Sequence, residues 1–218
     1  MQNLPEVIYL DKCLVVVNKP PGLLSIPDGH NPEKPYLKHV LEPEFGNLWI
    51  VHRLDKDTSG VIILARDENA HTHLNNQFSV RTVEKVYHTI VIGLPTWETV
   101  SVNSPLRANV GRRKRTIVDP IGGKNAITDF RILERLENHA VVEALPKTGR
   151  THQIRTHLYS IGHPVLADKM YGEDSETTII GRLALHAVSI KIIHPETQRT
   201  CIFKAQFFED FAQAVELL

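Results

Sequence analysis

The chain has 218 residues, 42% hydrophobic and 23% charged, with 25 Lys and Arg against 25 Asp and Glu. That is ordinary globular composition, with length for one large domain or two small ones, and no apolar run approaches the roughly 18 residues of a membrane span. Met1 to Glu6 lacks the basic-then-apolar order of a secretory signal, and Cys13 and Cys201, far apart in sequence, read as free thiols, so a cytoplasmic protein is expected.

Val7–Leu10 and Leu14–Val17 read as two strands joined by a turn at Asp11-Lys12. From Asn18 to Pro35, five prolines and two glycines predict a loop. Leu48–Val51 and Val61–Ala65 are strand-like runs flanking the polar string His52 to Gly60. Asp67 is placed to cap a helix whose apolar stripe is Ala70, Leu74 and Phe78. Lys85 to Leu94 returns to a strand pattern, followed by a long irregular segment. Ala126–Leu136 and Ala140–Leu145 predict a hairpin about Glu137-Asn138, and Thr151–Ile161 a helix with Ile154, Leu158 and Ile161 on one face. Leu183–Ile193 and Arg199–Ala205 predict a second hairpin, turned at Pro195 to Thr197, and Glu209–Leu218 a short amphipathic helix. Hairpins with few helices predict an α+β fold with a largely antiparallel sheet, and no internal repeat is present.

Zero net charge speaks mildly against a nucleic-acid partner. Locally the balance differs. Arg107, Arg112, Arg113, Lys114 and Arg115 crowd nine positions, and Lys147, Arg150 and Arg155 form a second group. Acidic residues concentrate elsewhere, at Glu173, Asp174 and Glu176 and at Glu209 and Asp210. Only a groove facing phosphates has to be positive. By themselves the basic groups fit a solvated loop and helix face as well as they fit RNA.

The string from His52 to Gly60 holds two carboxylates, Asp55 and Asp57, beside cations and hydroxyls. A loop held by strands on both sides is a rigid, open place for a reactive carboxylate. A calcium loop counted from Asp55 requires glutamate at its twelfth position, which is Arg66, so that reading fails. A phosphotransferase of the haloacid-dehalogenase type and a simple structural turn both remain open on these residues alone. His152, His157 and His163 are spaced five and six apart with no cysteine nearby, which does not suit zinc.

The string His52-Arg53-Leu54-Asp55-Lys56-Asp57-Thr58-Ser59-Gly60 resembles the HRLDxxTSG signature of the RluA-type pseudouridine synthases. Companion motifs follow in order: Asn18 to Leu23 resembles NKPxGL, Lys85-Val86-Tyr87 resembles K-x-Y, and Gly149 to Arg155 resembles GRxHQxR. Gly162 to Gly172 resembles GHPxxGDxxYG, with Ala167 at the usual glycine, and Leu185-His186-Ala187 resembles the LHA strand. The resemblance covers nearly the whole chain.

It implies an RNA pseudouridine synthase of the pseudouridine synthase catalytic fold, working without cofactor or metal on structured ribosomal RNA, transfer RNA or both. Asp55 becomes the nucleophile, attacking C1′ or taking a proton from C2′. Arg155 becomes its cationic partner and Tyr87 the ring that stacks on uracil. Leu185 becomes an apolar floor under the base. Arg53 is a candidate wedge for the space left by a flipped uridine. His52 reads as a structural hydrogen-bonder within the substrate-lining signature, and Arg150, Gln153, Arg112, Arg113, Lys114 and Arg115 as further substrate contacts. One catalytic domain is expected, without the separate N-terminal RNA-binding domain of many relatives, as a monomer needing no protein partner. Two rivals stand beside this reading: a metal-dependent phosphohydrolase with Asp55 as nucleophile, and a non-catalytic RNA-binding protein on the same scaffold.

Overall fold

The computed structural model describes residues 4–29, 31–172 and 179–218. The acidic group of Glu173, Asp174 and Glu176 lies outside them. The chain forms two compact units, Met1–Lys85 with Ala187–Gln206, and Val86–His186 with Phe207–Leu218. The fold is α+β, largely antiparallel, as expected.

In the first unit β1 (Glu6–Leu10) pairs with β2 (Leu14–Lys19) around a turn in which Asp11 Oδ1 accepts the amides of Cys13 and Leu14, each at 2.8 Å. This is the local hydrogen bonding that makes Asp a turn residue. After the loop, α1 (Leu37–Phe45) buries Leu37, Leu41 and Phe45. The sequence reading did not foresee this helix: Tyr36 offers no side-chain cap and Pro43 lies inside it, although the i, i+4, i+8 apolar spacing was present. β3 is only Trp49–Ile50 and pairs with the end of β4 (Ser59–Ala65), whose other edge pairs with β2. Leu14–Val17 and Val61–Ala65 are all 2% exposed or less. Both faces are covered, which is why these strands read as unbroken apolar runs rather than alternation. α2 (Glu68–Ser79) starts where Asp67 accepts the amide of Ala70, as predicted.

The boundary between the units falls within β5 (Glu84–Ile92) and within β11 (Leu185–Ile193). Residues of β11 in the first unit pair with β12 (Thr200–Lys204), the predicted hairpin.

In the second unit the order is β5, β10, β9, β6, all antiparallel, from β6 (Thr99–Asn103), β9 (Ile127–Arg135) and β10 (His139–Pro146). Leu158 of α3 (Gln153–Ser160) and Phe211 and Ala214 of α4 (Glu209–Leu217) close its core. The stretch expected to be irregular instead contains β6 and a two-stranded ribbon of β7 (Leu106–Val110) and β8 (Arg115–Val118). Its charged sequence hides the pattern, and the turn uses positive φ at Gly111 and Lys114. Among the described residues no helix is long and apolar enough to cross a membrane.

Candidate active site

The loop before β4 is tied down from below. Leu54 is buried, while Arg53 is exposed and Asp55 partly exposed on either side of it. Ser25 Oγ donates to the Leu54 carbonyl at 2.8 Å and accepts its amide at 3.1 Å, fixing the residue just before the carboxylate. The Thr58 amide donates to the Asp55 carbonyl at 3.2 Å, closing the turn. Beneath it the fully buried Lys19 ammonium donates to the carbonyls of Pro20, Leu23 and Lys56 at 2.9, 2.8 and 3.0 Å. The Lys56 carbonyl also accepts the Gly22 amide at 2.9 Å.

A buried charge is tolerable only with such saturation by dipoles. Thus the Asn18–Leu23 motif is the clamp of the Asp55 loop. Lys19 and Ser25 were not singled out from the sequence, because a lysine before Pro-Pro-Gly carries no pattern that marks it as buried. Lys19→Met removes the donor shared by three carbonyls, of which that of Lys56 keeps the Gly22 amide, and should lower stability by about 3 kcal/mol in urea denaturation. A loss below about 1 kcal/mol would mean that the ammonium is not the clamp.

His52 faces inward. Its Nε2 accepts the Ile63 amide at 3.0 Å, taking up the position on β4 next to the last one paired with β3. Its ring stacks on Phe78, with centroids 4.9 Å apart and planes at 24°. An accepting Nε2 places the proton of the neutral ring on Nδ1. Burial, and secondarily the Lys85 charge, push its pKa down to about 3. The unfolded chain therefore binds a proton below about pH 6.5 that the folded chain refuses, so stability is full above that pH and falls towards pH 3. From pH 7 to pH 5 this group should cost roughly 2 kcal/mol. Denaturation midpoints at the two pH values should differ less in His52→Gln, whose amide still accepts from Ile63; an equal fall in both proteins would refute the assignment. His88 and His157, also lowered by burial, add to the same window in both.

The second unit carries the other residues singled out. Tyr87, partly buried, lies opposite Ala144 between β5 and β10. Leu185 is buried in the core at the start of β11. Gln153 is also buried, with every amide position engaged: Oε1 accepts from Thr148 Oγ1 (2.7 Å) and the Arg150 amide (3.0 Å). Its Nε2 donates to the Ile127 carbonyl and to Thr128 Oγ1, both at 2.9 Å. These bonds make it a fastener of the Gly149–Arg155 loop rather than an exposed contact. His152 turns that loop into α3 through left-handed φ of 52°. Arg150 Nε donates to the Asn125 carbonyl at 3.0 Å. Arg112, Arg113 and Lys114 are exposed in the β7–β8 turn, and Arg115 is partly buried.

Arg155 is 9% exposed. Its Nε and Nη2 donate to the two oxygens of Asp168, each at 2.7 Å. Asp168, 2% exposed, also accepts the amides of Met170 (3.0 Å) and Tyr171 (3.2 Å) on Oδ1. The Tyr171 ring lies 5.1 Å from the guanidinium. A two-point fork over an aromatic face fixes the plane of an arginine as a lysine could not be fixed. In the sequence Asp168 and Tyr171 stand out only as parts of the Gly162–Gly172 motif. Among the described residues no group of three or more His, Cys, Asp or Glu side chains is placed to hold a metal.

A clamped loop that presents a partly exposed carboxylate at the head of a buried strand, on this α+β scaffold, is built as an enzyme site can be. A profile of the family described as RNA pseudouridylate synthase matches residues 13–160, and the chain belongs to that family. It is 40% identical over 204 residues to the dual-specificity RNA pseudouridine synthase RluA of Haemophilus influenzae, covering 92% of each chain. It is 35% identical to the ribosomal large subunit pseudouridine synthase D of Zymomonas mobilis, over all of this chain and 74% of the relative. Among solved structures it resembles human RNA pseudouridylate synthase domain containing 1 with a TM-score of 0.81, at 25% identity, over 96% of this chain and 87% of that one. Human RNA pseudouridylate synthase domain containing 4 follows with a TM-score of 0.78, also at 25% identity, covering 97% and 92%. The protein is thus an RNA pseudouridine synthase, and these matches favour neither the phosphohydrolase nor the non-catalytic reading.

Proposed function

We propose that this enzyme isomerises uridines in structured RNA, ribosomal, transfer or both, with Asp55 as its nucleophile. The observation that carries the assignment is the clamped loop: Ser25 and Lys19 fix the backbone on both sides of Asp55 while its side chain stays partly exposed. In the reaction the N1–C1′ bond breaks, the uracil turns and C5 bonds to C1′. The C5 proton leaves to solvent and N1 regains one, so no redox partner is required. Asp55 acts ionised, either at C1′ or on the C2′ proton. We assign Arg155 to Asp55 as its cation in the reaction, and Tyr87 to stacking on the base, an interaction worth ~1–3 kcal/mol. Leu185 provides the apolar floor. The name of the large ribosomal subunit relative supports ribosomal RNA as a substrate class, and that of the dual-specificity relative supports a second class of RNA, which we take to be transfer RNA. The bacterial relatives that act on ribosomal RNA support a cytoplasmic place of work. The two units together make the one catalytic domain.

Extraction of a stacked uridine costs a few kcal/mol. Arg53, exposed one residue before buried Leu54 and two before Asp55, is the group we assign to the vacated space. The exposed Arg112, Arg113 and Lys114, with Arg150, contact the phosphates.

Tritium release from RNA labelled at uracil C5, with and without chelator, tests the reaction; release that requires a divalent metal would overturn it. Arg53→Ala should lose roughly 10- to 100-fold on a stem-loop, the equivalent of the flipping cost, and little on an unstructured strand. Equal losses on both substrates would remove the wedge.

A further inference from the structure

Tyr171 meets two features that the reaction uses separately. Its hydroxyl donates to the Thr116 carbonyl at 3.1 Å and accepts the Thr116 amide at 2.8 Å, so one side chain takes both backbone groups of a residue in β8. His152 Nδ1, at the head of α3, reaches the same hydroxyl at 3.1 Å. Its ring carries the guanidinium of Arg155 at 5.1 Å and that of Arg115 at 5.5 Å. Its own amide is held by Asp168, the carboxylate that forks Arg155. The ribbon that ends in Arg112, Arg113 and Lys114 and the arginine assigned to Asp55 therefore rest on one residue.

We propose that Tyr171 is a positioning residue coupling the docking of the β7–β8 ribbon to the orientation of Arg155, so that RNA held at the ribbon tip sets the arginine for catalysis. This rests on the roles proposed above for Arg155 and the tip. Two further observations favour a docking that RNA can tip. Arg115 Nε and Thr116 Oγ1 are buried without a hydrogen-bond partner among the described residues, a cost that the docked arrangement carries. The ribbon also makes its turn through positive φ at Lys114, a left-handed conformation that lysine rarely adopts.

The test is a double-mutant cycle read at saturation. Single-turnover tritium release is measured with enzyme in excess over total RNA, labelled at uracil C5 and drawn from cells lacking the gene. The proteins are wild type, Tyr171→Phe, the tip triple Arg112→Ser/Arg113→Ser/Lys114→Ser, and the combination. Tyr171→Phe keeps the ring under both arginines and loses only the hydroxyl. The tip triple should lower the saturated rate about 10-fold in the wild-type background and less than about 2-fold beside Tyr171→Phe. A structural role alone gives losses that multiply, and that result overturns the coupling. Arg155→Ala with an unchanged saturated rate, or a tip triple that moves neither affinity nor rate, overturns the underlying roles and is recognisable as such. Should Tyr171→Phe not fold, amide exchange at Thr116 in Asp55→Asn enzyme decides: protection should rise about 10-fold on binding the same RNA, and no change rejects the coupling.

Discussion

Asp55→Asn should lower single-turnover tritium release by roughly 10,000-fold or more, to the level of the background. The amide is isosteric with the carboxylate but is neither a nucleophile towards C1′ nor a base for C2′–H. The fold should not respond. The loop is set by backbone groups, with the Asp55 carbonyl accepting from Thr58 and the Leu54 and Lys56 carbonyls held by Ser25 and Lys19. A loss of stability of no more than about 1 kcal/mol is therefore expected, as for a partly exposed side chain replaced by its isostere. Activity within tenfold of wild type would remove Asp55 from the chemistry. Loss of activity together with loss of folding would show that the side chain, and not its backbone, holds the loop.

Gly60→Ala should be the most destabilising single methyl addition in the first unit. Gly60 has φ of +115°, and a Cβ there would lie 2.2 Å from the Ala187 carbonyl oxygen and 2.5 Å from its nitrogen. Both are backbone atoms of the neighbouring strand, so no side chain can swing aside. We expect a loss of about 4 kcal/mol, or on the order of 10 °C in Tm for a chain of this size. Gly22 is the control. Its φ is +83° with nothing within 4 Å of a Cβ, so Gly22→Ala pays only the backbone term of about 1 kcal/mol. Equal losses at the two glycines would show that the clash at Ala187 relaxes. In the sequence Ser59 and Gly60 fall in the polar string between two strand-like runs. Ser59 and Gly60 in fact open β4, and the glycine is required by the strand beside it.

Much of the chain was legible because its signals are local. The Asp67 cap, the β1–β2 turn at Asp11 and the hairpin about Glu137-Asn138 each depend on neighbours in sequence. So does the presence of a carboxylate loop between two apolar strands. α1 and the β7–β8 ribbon were missed for the converse reason: one lacks a cap and contains Pro43, and the other is too charged to show a strand period. Burial of polar groups was also invisible. Lys19 reads as a surface lysine and Gln153 as a binding residue, yet each is buried among backbone and hydroxyl partners.

The sequence alone thus singled out the candidate reacting residue and determined the order of the motifs and the fold class, since hydrophobic period, turn chemistry and a linked set of motifs are properties of the chain. Only the tertiary structure decided what holds those residues. Lys19 clamps a loop 37 positions away, and Asp168 takes Arg155 across 13. Tyr171 reaches back 55 residues to the ribbon of basic side chains. Such partners are chosen by which strands and loops come together in low dielectric, where a charge or hydroxyl must be satisfied, and no spacing along the chain encodes that choice.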